Sequence, residues 1–452
     1  MAKLPQAFID KYQQLMGPEA QAFFASFDEP VKHGFRINPL KQSIPTGLDL
    51  SEPVPYAKWG YYGEVHGRSV AHQSGAIYSQ EPSAMFVGAT AHPERGDRVL
   101  DLCAAPGGKS THLASYLDNT GLLVSNEIMK KRVGVLAENI ERFGPHNTVI
   151  LNESPERLTR PFAGFFDKVV VDAPCSGEGM FRKDPEAMAY WDADYPQKCA
   201  ALQREILTEA VKMVRPGGQL VYSTCTFAPE EDEQTIAWLL DQYPEFHLIP
   251  IEKTAGISDA RPEWANGNPE LKKAARLFPN QMLGEGHFVA KLQADADWNQ
   301  GAKPAKPQQV GLTREQQKLW TEFSADQLIG ITFPHLLTFG DQLYSVPAEM
   351  PAFGKLKVER PGLHLGTFKK KRFEPSYALA LAVKPEQAQH QLTINHEQWA
   401  KVVHGETITI DEEHSKGWYL LVCDNQPVAY GKLVGKTIKN FFPKGLRFQV
   451  YD

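Results

Sequence analysis

Apolar residues recur in short runs along the chain, most clearly between about residues 80 and 292. These runs are rich in valine, isoleucine and leucine, have the length of single strands, and are separated by longer segments with helical spacing. They predict β-strands at 98–102, 121–128, 147–151, 167–173, 219–226 and 287–292. Strands that alternate with helices are typical of the α/β class, and here they predict a doubly wound parallel sheet.

The segment between the fourth and fifth predicted strands has the clearest helical spacing. Its apolar positions recur at steps of three and four residues, at Cys199, Leu202, Ile206, Ala210 and Met213. The run Arg-Pro-Gly-Gly at 215–218 is expected to end this helix. Because Cys199 lies on the apolar stripe, we expect it to be a core residue.

Composition changes on either side of this central unit, which predicts a chain of several parts. Residues 1–75 are rich in proline, glycine and aromatic residues and are expected to form an N-terminal α+β extension. Residues 76–293 hold the predicted sheet, and 294–311 have the composition of a linker. The remainder mixes helix and short strands, and we expect two further domains at 312–385 and 386–452.

Length and charge narrow the possible classes of protein. The chain has 452 residues, 42% of them hydrophobic, which excludes a wholly disordered, collagen-like or coiled-coil protein. With 48 Lys plus Arg against 54 Asp plus Glu, the formal net charge of -6 argues against nucleic-acid binding by bulk charge. The charge is nevertheless uneven, because 354–373 holds seven basic residues and one acid, and 431–447 holds five basic residues and no acid.

Neither a secretory signal nor a membrane span is visible. The amino terminus carries Lys3, Asp10 and Lys11 where a signal peptide needs an apolar run, and no stretch reaches the ~18 apolar residues of a spanning helix. The five cysteines have the spacing of neither a disulfide framework nor a zinc site. These features predict free thiols, no metal site and a cytoplasmic location.

A glycine-containing turn follows the first predicted strand of the sheet. The strand runs through Asp101 into Cys-Ala-Ala-Pro-Gly-Gly-Lys at 103–109, where 106–108 predict a tight turn into a helix. Glu127, at the end of the next strand, lies 20 positions beyond Gly107, the spacing of an acid that binds ribose hydroxyls. The turn has neither the dinucleotide fingerprint nor the P-loop pattern, so a different nucleoside-bearing cofactor is favoured.

Two cysteines and an aspartate follow two further strands. The fourth strand leads into Asp172 and Cys175, and the fifth leads into Cys225. In an open α/β sheet the carboxyl ends of the strands face the ligand crevice. A lone free cysteine is usually a small buried hydrophobe, but two at equivalent strand ends predict a site with two thiols and a carboxylate beside the cofactor.

Several segments carry a specific combination of motifs. They are CAAPGGK (103–109), VVVDAPCSGEGMFRKDP (169–185), LVYSTCT (220–226) with PEEDE (229–233), and RLFPNQMLGEGHFVAKL (276–292). Together they resemble the NOL1/NOP2/Sun-type RNA cytosine-5 methyltransferases, and FRINPLK (35–41) and SQEPSAM (79–85) resemble the stretch before that family's catalytic domain. The tail resembles that of the bacterial RsmF-like members. The resemblance implies a Rossmann-like methyltransferase core and a PUA-like final domain.

The resemblance also implies S-adenosyl-L-methionine as cofactor. The residues implied to wrap it are Cys103, Ala104, Ala105, Pro106, Gly107, Gly108 and Lys109. Glu127 is implied to hold its ribose, Arg132 to contact it, and Asp172 to touch both cofactor and target base. Within the turn, Cys103 is expected to pack rather than react. Where the family commonly has an Asp after its third strand, this chain has Ser154, which leaves Glu153 or a backbone group as the candidate adenine contact.

The implied chemistry explains why two cysteines are needed. Carbon 5 of cytosine is a poor nucleophile, and addition of a thiolate at carbon 6 converts the ring into a reactive enamine. The family pattern makes Cys225 the nucleophile and Cys175 the general base that permits its release. Asp172 would donate or share a proton at ring nitrogen 3. Full ionisation of Cys225 would supply at most ~2 kcal/mol, so orientation and electrostatics must supply most of the rate enhancement.

RNA is the partner that the resemblance implies. The basic stretches of the tail are interleaved with Phe368, Phe373, Phe441 and Phe442, a pattern that suits phosphates and stacked bases. The residues Phe-Arg-Lys at 181–183 are expected to line the path of a flipped target base.

The sequence therefore predicts an rRNA cytosine-5 methyltransferase that acts on small-subunit 16S rRNA or the small ribosomal subunit. The same chemistry on tRNA is the alternative. Cys225 and the basic tail disfavour a DNA cytosine methyltransferase, in which Cys175 would be the nucleophile. The presence of both cysteines and Asp172 disfavours a non-catalytic RNA-binding assembly factor. No membrane partner is expected, and the pattern does not indicate an oligomeric state.

Overall fold

The N-terminal part of the chain contributes short helices and a small antiparallel sheet. A computed structural model describes residues 4–254, 256–298, 301 and 306–450. The first elements are α1 (Gln6–Met16), α2 (Ala20–Ala25), β1 (Gly34–Ile37), β2 (Gly60–Tyr62), α3 (Val70–Gln73) and β3 (Ile77–Ser79). The sheet has the order β2–β1–β3.

A large sheet with helices on both faces forms the centre of the molecule. Its first half contains α4 (Pro82–Ala91), β4 (Arg98–Asp101), α5 (Gly108–Leu117), β5 (Leu122–Asn126), α6 (Lys130–Phe143), β6 (Thr148–Leu151), α7 (Pro155–Phe162) and β7 (Phe166–Asp172). The second half contains α8 (Ala187–Tyr190), α9 (Tyr195–Met213), β8 (Val214–Thr224), α10 (Glu233–Gln242), β9 (Phe246–Leu248), β10 (Ile257–Asp259), β11 (Ala275–Leu277) and β12 (His287–Ala294). The α/β class predicted from the sequence is confirmed.

Strand direction differs from the prediction at one edge of this sheet. Five strands run parallel, as expected, in the order β8–β7–β4–β5–β6. The sixth predicted strand, β12, runs antiparallel to β8, so the sheet is mixed. Apolar periodicity is the same for both directions, which is why the sequence pattern could not distinguish them.

The helix before β8 ends directly before the run at 215–218, as predicted. α9 ends at Met213, and residues 215–218 are part of β8, which begins at Val214. Gly217 has a φ of 67°, which allows the strand to bend there. Cys199 is buried on α9 at 9% exposure, which confirms the core assignment.

Alternation along the strands decides which side chains reach the end of the sheet. Val170 on β7, Val221 on β8 and Val289 on β12 are fully buried on the face that α4 and α5 cover. Successive side chains alternate between faces, so Asp172 and Ser223 point to the same side as these valines. The carboxylate of Asp172 thereby comes within reach of the first turn of α5.

The C-terminal part contains two smaller sheets. Its elements are α11 (Arg314–Gln327), β13 (Leu336–Phe339), β14 (Gln342–Ser345), β15 (Val358–Arg360), β16 (Leu363–Lys369), β17 (Arg372–Pro375), α12 (Tyr377–Ala382), β18 (Gln391–Thr393), α13 (His396–His404), β19 (Ile408–Thr409), β20 (Gly417–Cys423), β21 (Gln426–Val434) and β22 (Thr437–Asn440). The sheets have the orders β13–β14–β16–β17 and β18–β20–β21–β22–β19, whereas β15 pairs with β6 of the central sheet.

The predicted linker at 294–311 is described only in part, because residues 299–300 and 302–305 lie outside the described residues. Within the described part of the chain, no helix is long and apolar enough to cross a membrane.

Candidate active site

The predicted glycine turn connects β4 to α5. β4 ends at Asp101 and α5 begins at Gly108. Gly107 has a φ of 116°, which favours glycine, and a Cβ there would meet Leu136 Cδ1 at 3.3 Å. No side chain among the described residues caps α5. The first backbone N–H groups of this helix therefore remain available to a ligand.

A buried arginine from the N-terminal sheet supports this turn. Arg36 on β1 is 0% exposed, and its Nη2 donates to Gly108 O at 2.9 Å and to Thr111 Oγ1 at 2.7 Å. Burial lowers the pKa of Arg36 to about 9, which leaves the guanidinium charged at neutral pH. This role of the FRINPLK motif was missed by the sequence analysis, because only the fold shows which helix the arginine meets.

Glu127 and Arg132 meet the turn at the same edge of the sheet. The side chain of Glu127 is 3% exposed, and Oε1 accepts a hydrogen bond from Met129 N at 2.8 Å. Arg132 Nη1 lies 3.4 Å from Glu127 Oε2, and its Nη2 donates to Ala105 O at 2.6 Å. Arg132 therefore connects the acid to the turn.

These groups border a cavity of about 800 Å³. The predicted site residues that line it are Cys103, Ala105, Glu127, Arg132, Asp172, Cys175 and Cys225. Ile128, Met129 and Leu202 also line it and are roughly half exposed, which gives the cavity an apolar wall. An apolar wall with a few convergent polar groups is typical of a small-molecule site.

Burial raises the pKa of Cys103, which keeps this thiol protonated.

The other turn residues lie beside the cavity rather than in its lining. Ala104 is buried at 3% exposure, and Pro106, Gly107 and Gly108 form the bend. Lys109, on the first turn of α5, points its ammonium group at Asp172.

Ser154 lines the cavity, but Glu153 is engaged elsewhere. Glu153 is 2% exposed, its Oε1 accepts from Lys357 N at 2.7 Å, and its Oε2 pairs with Arg157 Nε at 3.0 Å. Oε1 thus holds the C-terminal part against the sheet, and Oε2 is paired with Arg157 of α7. The expectation that Glu153 could serve as an adenine contact is wrong for this arrangement.

The two predicted cysteines are in contact. Cys175 Sγ and Cys225 Sγ are 3.2 Å apart, and both residues are partly exposed to the cavity. The residues that follow them, Ser176 and Thr226, join their hydroxyl groups at 2.8 Å. The hydrogen bond with Cys225, together with burial, raises the pKa of Cys175 well above that of an ordinary thiol.

Asp172 lies beside the cysteines with both oxygens paired. Lys109 Nζ lies 2.6 Å from Oδ2, and Ser223 Oγ donates to Oδ1 at 2.8 Å. Burial would raise the pKa of Asp172, but the Lys109 ammonium group, His287 and these hydrogen bonds lower it below its usual range. The carboxylate is therefore ionised at neutral pH. An ionised carboxylate can accept a hydrogen bond from a protonated ring nitrogen but cannot supply the proton. Of the two roles predicted for Asp172, donating or sharing a proton, only sharing fits this arrangement.

Behind the cysteine loops lies a cluster of buried acids. Glu231, Asp232 and Glu233, from the PEEDE segment, are each 0% exposed. Arg276 pairs with Asp232 at 3.1 Å and with Glu233 at 2.5 Å. The burial of this cluster was not predicted, although the four consecutive acids at 230–233, directly after the loop of Cys225, were a visible signal.

The expected lining of the base path by 181–183 is largely wrong. Phe181 is 2% exposed and packs in a core cluster with Phe8 and Trp191. The side chain of Arg182 is 7% exposed, and its Nε pairs with Glu285 at 2.9 Å. Only Lys183 is exposed. Phe181 and Arg182 therefore stabilise the fold beside the loop of Cys175 and do not face a ligand.

The expected stacking surface of the tail is also corrected. Phe368, Phe373 and Phe442 are at most 8% exposed and belong to the cores of the two C-terminal sheets, whereas Phe441 is 36% exposed. Three of the four rings therefore cannot stack on bases. Of the first basic stretch, 358–360 form β15, while the exposed lysines 369–371 lie at the turn between β16 and β17.

Comparisons with known proteins cover nearly the whole chain. Residues 4–82 match the N-terminal domain of 16S rRNA methyltransferase RsmF, and 89–293 match the 16S rRNA methyltransferase RsmB/F family. Residues 322–383 match the RsmF rRNA methyltransferase first C-terminal domain, and 389–448 match the methyltransferase RsmF PUA domain.

Similar proteins include the ribosomal RNA small subunit methyltransferases F of Erwinia tasmaniensis and Cronobacter sakazakii. Each is 30% identical over 98% of this chain and 96% of the relative. A methyltransferase homolog protein from Pyrococcus horikoshii is 30% identical, with a TM-score of 0.57 over 64% of this chain and 95% of that chain. NSun6 from Pyrococcus horikoshii, solved with SFG, shares the fold at 22% identity, with a TM-score of 0.56 over 64% of this chain and 98% of that chain.

Proposed function

The chain belongs to the RsmF family of 16S rRNA methyltransferases, and from that premise we propose that it forms 5-methylcytidine in small-subunit rRNA. It is an S-adenosylmethionine-dependent rRNA methyltransferase with a Rossmann-like core and a PUA domain. The proposal adds the modified atom, the roles of the two cysteines, and small-subunit RNA or the small ribosomal subunit as the substrate.

The contact between Cys175 and Cys225 is the observation that carries the proposal. The two sulfur atoms are 3.2 Å apart at the ends of neighbouring strands, and both face the cavity. Methyl transfer to an oxygen or an exocyclic nitrogen needs no thiol, whereas transfer to carbon 5 needs a nucleophile at carbon 6 and then a base. Two thiols within reach of one ring can meet both needs.

In the proposed reaction, the Cys225 thiolate forms a bond to carbon 6 of cytosine. S-adenosylmethionine, when bound, supplies an electrophilic methyl group to carbon 5. Cys175 first loses its own proton to solvent and then removes the proton from carbon 5 as a thiolate. The electron pair of the broken C–H bond restores the double bond between carbons 5 and 6 and expels the Cys225 thiolate. Ring nitrogen 3 takes up a proton from solvent as the thiolate adds and returns it when Cys225 leaves. The ionised Asp172 accepts a hydrogen bond from this protonated nitrogen and so stabilises the more electrophilic form of the ring.

The cavity fits the cofactor in both size and polarity. We assign residues 103–109 and Arg132 to its binding, and Glu127 to its ribose hydroxyls, because that carboxylate lines the cavity beside the open first turn of α5. The apolar side chains of Ile128, Met129 and Leu202 would offer a surface on which the adenine ring could pack.

RNA is the macromolecular partner. The proposal also assigns a location to the protein and a role to each part of the chain. We propose a cytoplasmic enzyme with an RNA-facing N-terminal extension at 1–75, a methyltransferase domain at 76–293, a linker at 294–311, a first C-terminal domain at 312–385 and an RNA-binding PUA-like domain at 386–452.

Single substitutions of the two cysteines test the proposal. Cys225→Ala should abolish methyl transfer, because no thiolate can activate carbon 5. Cys175→Ala should accumulate a covalent protein–RNA adduct that survives a denaturing gel, because the ring cannot lose its proton. Cys423→Ala, at a buried cysteine of β20, is the matched control and should leave transfer unchanged. Adduct formation by Cys225→Ala would reverse the two roles, and transfer by both variants would refute the covalent mechanism.

A further inference from the structure

A buried carboxyl group lies directly beside the loop that carries Cys175. Glu231 is 0% exposed, and Ser176 N donates to its Oε2 at 3.0 Å and to its Oε1 at 3.3 Å. Because Ser176 is the residue after Cys175, this contact fixes the peptide group that carries the thiol. A buried backbone N–H without an acceptor costs free energy, so this contact stabilises the observed conformation of the loop.

A glutamine holds the other side of the same loop. Gln203 Nε2 on α9 donates to Pro174 O at 3.0 Å and to Glu231 Oε2 at 2.7 Å. Tyr222 OH on β8 is 2.9 Å from Gln203 Oε1 and 2.7 Å from Glu231 O. The peptide groups on either side of Cys175 are therefore both held, one by Glu231 and the other by Gln203. Both of these residues contact Tyr222, a fully buried tyrosine of the central sheet.

The loop of Cys225 shares one link with this loop, between the hydroxyl groups of Ser176 and Thr226, and is otherwise held by different groups. Gly179 N donates to Cys225 O at 2.9 Å, and Thr224 Oγ1 donates to Asp232 Oδ1 at 2.6 Å. Glu231 makes no hydrogen bond of its own to residues 224–226 within the described structure. A change at Glu231 should therefore move one thiol more than the other.

We infer that Glu231 is a positioning residue for Cys175, which holds the Cys175 sulfur where it can remove the proton from carbon 5 and so release the methylated base. The inference rests on the proposed function, because it presumes that Cys175 acts in the release step. The PEEDE segment thereby has a role in the reaction, which is to position Cys175.

The matched pair Glu231→Ala and Glu231→Gln tests this role. The alanine removes the acceptor of Ser176 N–H and one of the two acceptors of the Gln203 amide, so adduct release should slow by roughly 10²-fold, at the lower end of what general-base catalysis contributes. The first methyl transfer should stay within a few-fold of wild type, and adduct should accumulate on a denaturing gel. The glutamine keeps one oxygen that can accept from both donors, so it should restore release.

Glu230→Ala is the control within the same segment, since Glu230 pairs with Lys11 at 2.8 Å rather than with the Cys175 loop. It should release RNA like wild type. Gln203→Met serves as a second probe if Glu231→Ala does not fold, and it should also accumulate adduct because it loses the contact to Pro174 O.

The inference is overturned if Glu231→Ala, folded by its melting curve, releases RNA at the wild-type rate, or if Glu231→Gln is as slow as the alanine variant. Its failure is distinct from that of the proposed function. If Cys175→Ala accumulates adduct and Glu231→Ala does not, only the positioning role is wrong, whereas absence of adduct from Cys175→Ala refutes the proposed mechanism itself.

Discussion

Asp101, at the end of β4, is a carboxyl group whose environment disfavours its charge. It is 0% exposed, its Oδ2 accepts from Ser110 Oγ at 2.6 Å, and its Oδ1 has no hydrogen-bond partner among the described residues. Burial raises the pKa of Asp101 from 3.8 to about 7, although the Ser110 hydrogen bond lowers it in part. The folded protein therefore keeps a proton on Asp101 under conditions in which the unfolded chain has lost it.

This shift predicts a pH dependence of stability. Between pH 3.8 and about 7 the folded state binds more protons than the unfolded state, so the free energy of unfolding should fall as pH rises, by at most roughly 1.4 kcal/mol per unit from this group. Asp101→Asn, which cannot ionise, should show a smaller fall across this window. Urea denaturation at pH 5 and pH 8 measures it. Asp241→Asn, at an exposed aspartate, is the control, and equal slopes for Asp101→Asn and wild type would contradict the account.

The sequence predicted the position of a site residue correctly where that residue follows a parallel strand. Asp172, Cys175 and Cys225 were predicted to meet because the carboxyl ends of parallel strands share one edge, and they do lie together. Arg36 and Glu231 could not be assigned in the same way. Charged residues are usually exposed, and only the packed structure shows which buried groups compensate them.

Among the elements, β15 closes an edge of the central sheet. It comes from the C-terminal part, pairs antiparallel with β6, and is held by Glu153 Oε1, which accepts from Lys357 N at 2.7 Å. Asn152 N also donates to Lys357 O at 2.9 Å. Covering an edge strand removes unpaired backbone groups that would otherwise invite association.

Glu153→Ala should loosen this element. The partly buried hydrogen bond from Lys357 N–H and the pairing of Arg157 are lost, which should lower the free energy of unfolding by about 1 kcal/mol. Limited proteolysis should cut faster around 350–360 than in wild type. Glu138→Ala, at an exposed glutamate of α6, is the control. Unchanged cleavage with unchanged stability would show that Glu153 does not hold β15.

Residues 354–373 were predicted to expose stacking rings among basic residues, and for Phe368 and Phe373 this is wrong because both rings are buried. Residues 358–360 of this stretch form β15, since Val358 and Arg360 pair with a strand some 200 residues earlier, a contact that local composition does not reveal. The same limit applies to β12, whose length was predicted but whose antiparallel direction depends on how the chain returns to β8.

The whole molecule combines a net negative charge with local basic surfaces. The formal net charge is -6, yet residues 369–372, at the turn between β16 and β17, are four exposed basic residues in succession. RNA affinity depends on phosphate contacts, and each contact to single-stranded RNA adds about 0.7 to the slope of log affinity against log salt. The charge near the RNA therefore matters more than the total.

The double variant Lys370→Ser/Lys371→Ser should bind RNA more weakly and with a shallower salt dependence. If both lysines contact phosphates, the slope should fall by roughly 1.4. Filter binding of 16S rRNA at several salt concentrations measures the slope. Lys272→Ser/Lys318→Ser removes the same charge from exposed positions outside this turn and should leave the slope unchanged. Equal slopes for the two double variants would show that Lys370 and Lys371 do not contact phosphates of the RNA.

The most direct test of the central claim identifies the methylated nucleoside. Purified protein is incubated with methyl-labelled S-adenosylmethionine and either 16S rRNA or small ribosomal subunits, and the RNA is digested to nucleosides and analysed by mass spectrometry. The account predicts label in 5-methylcytidine, and none when Cys225→Ala is used. Label in a 2′-O-methyl or N-methyl nucleoside, or undiminished labelling by Cys225→Ala, would contradict it.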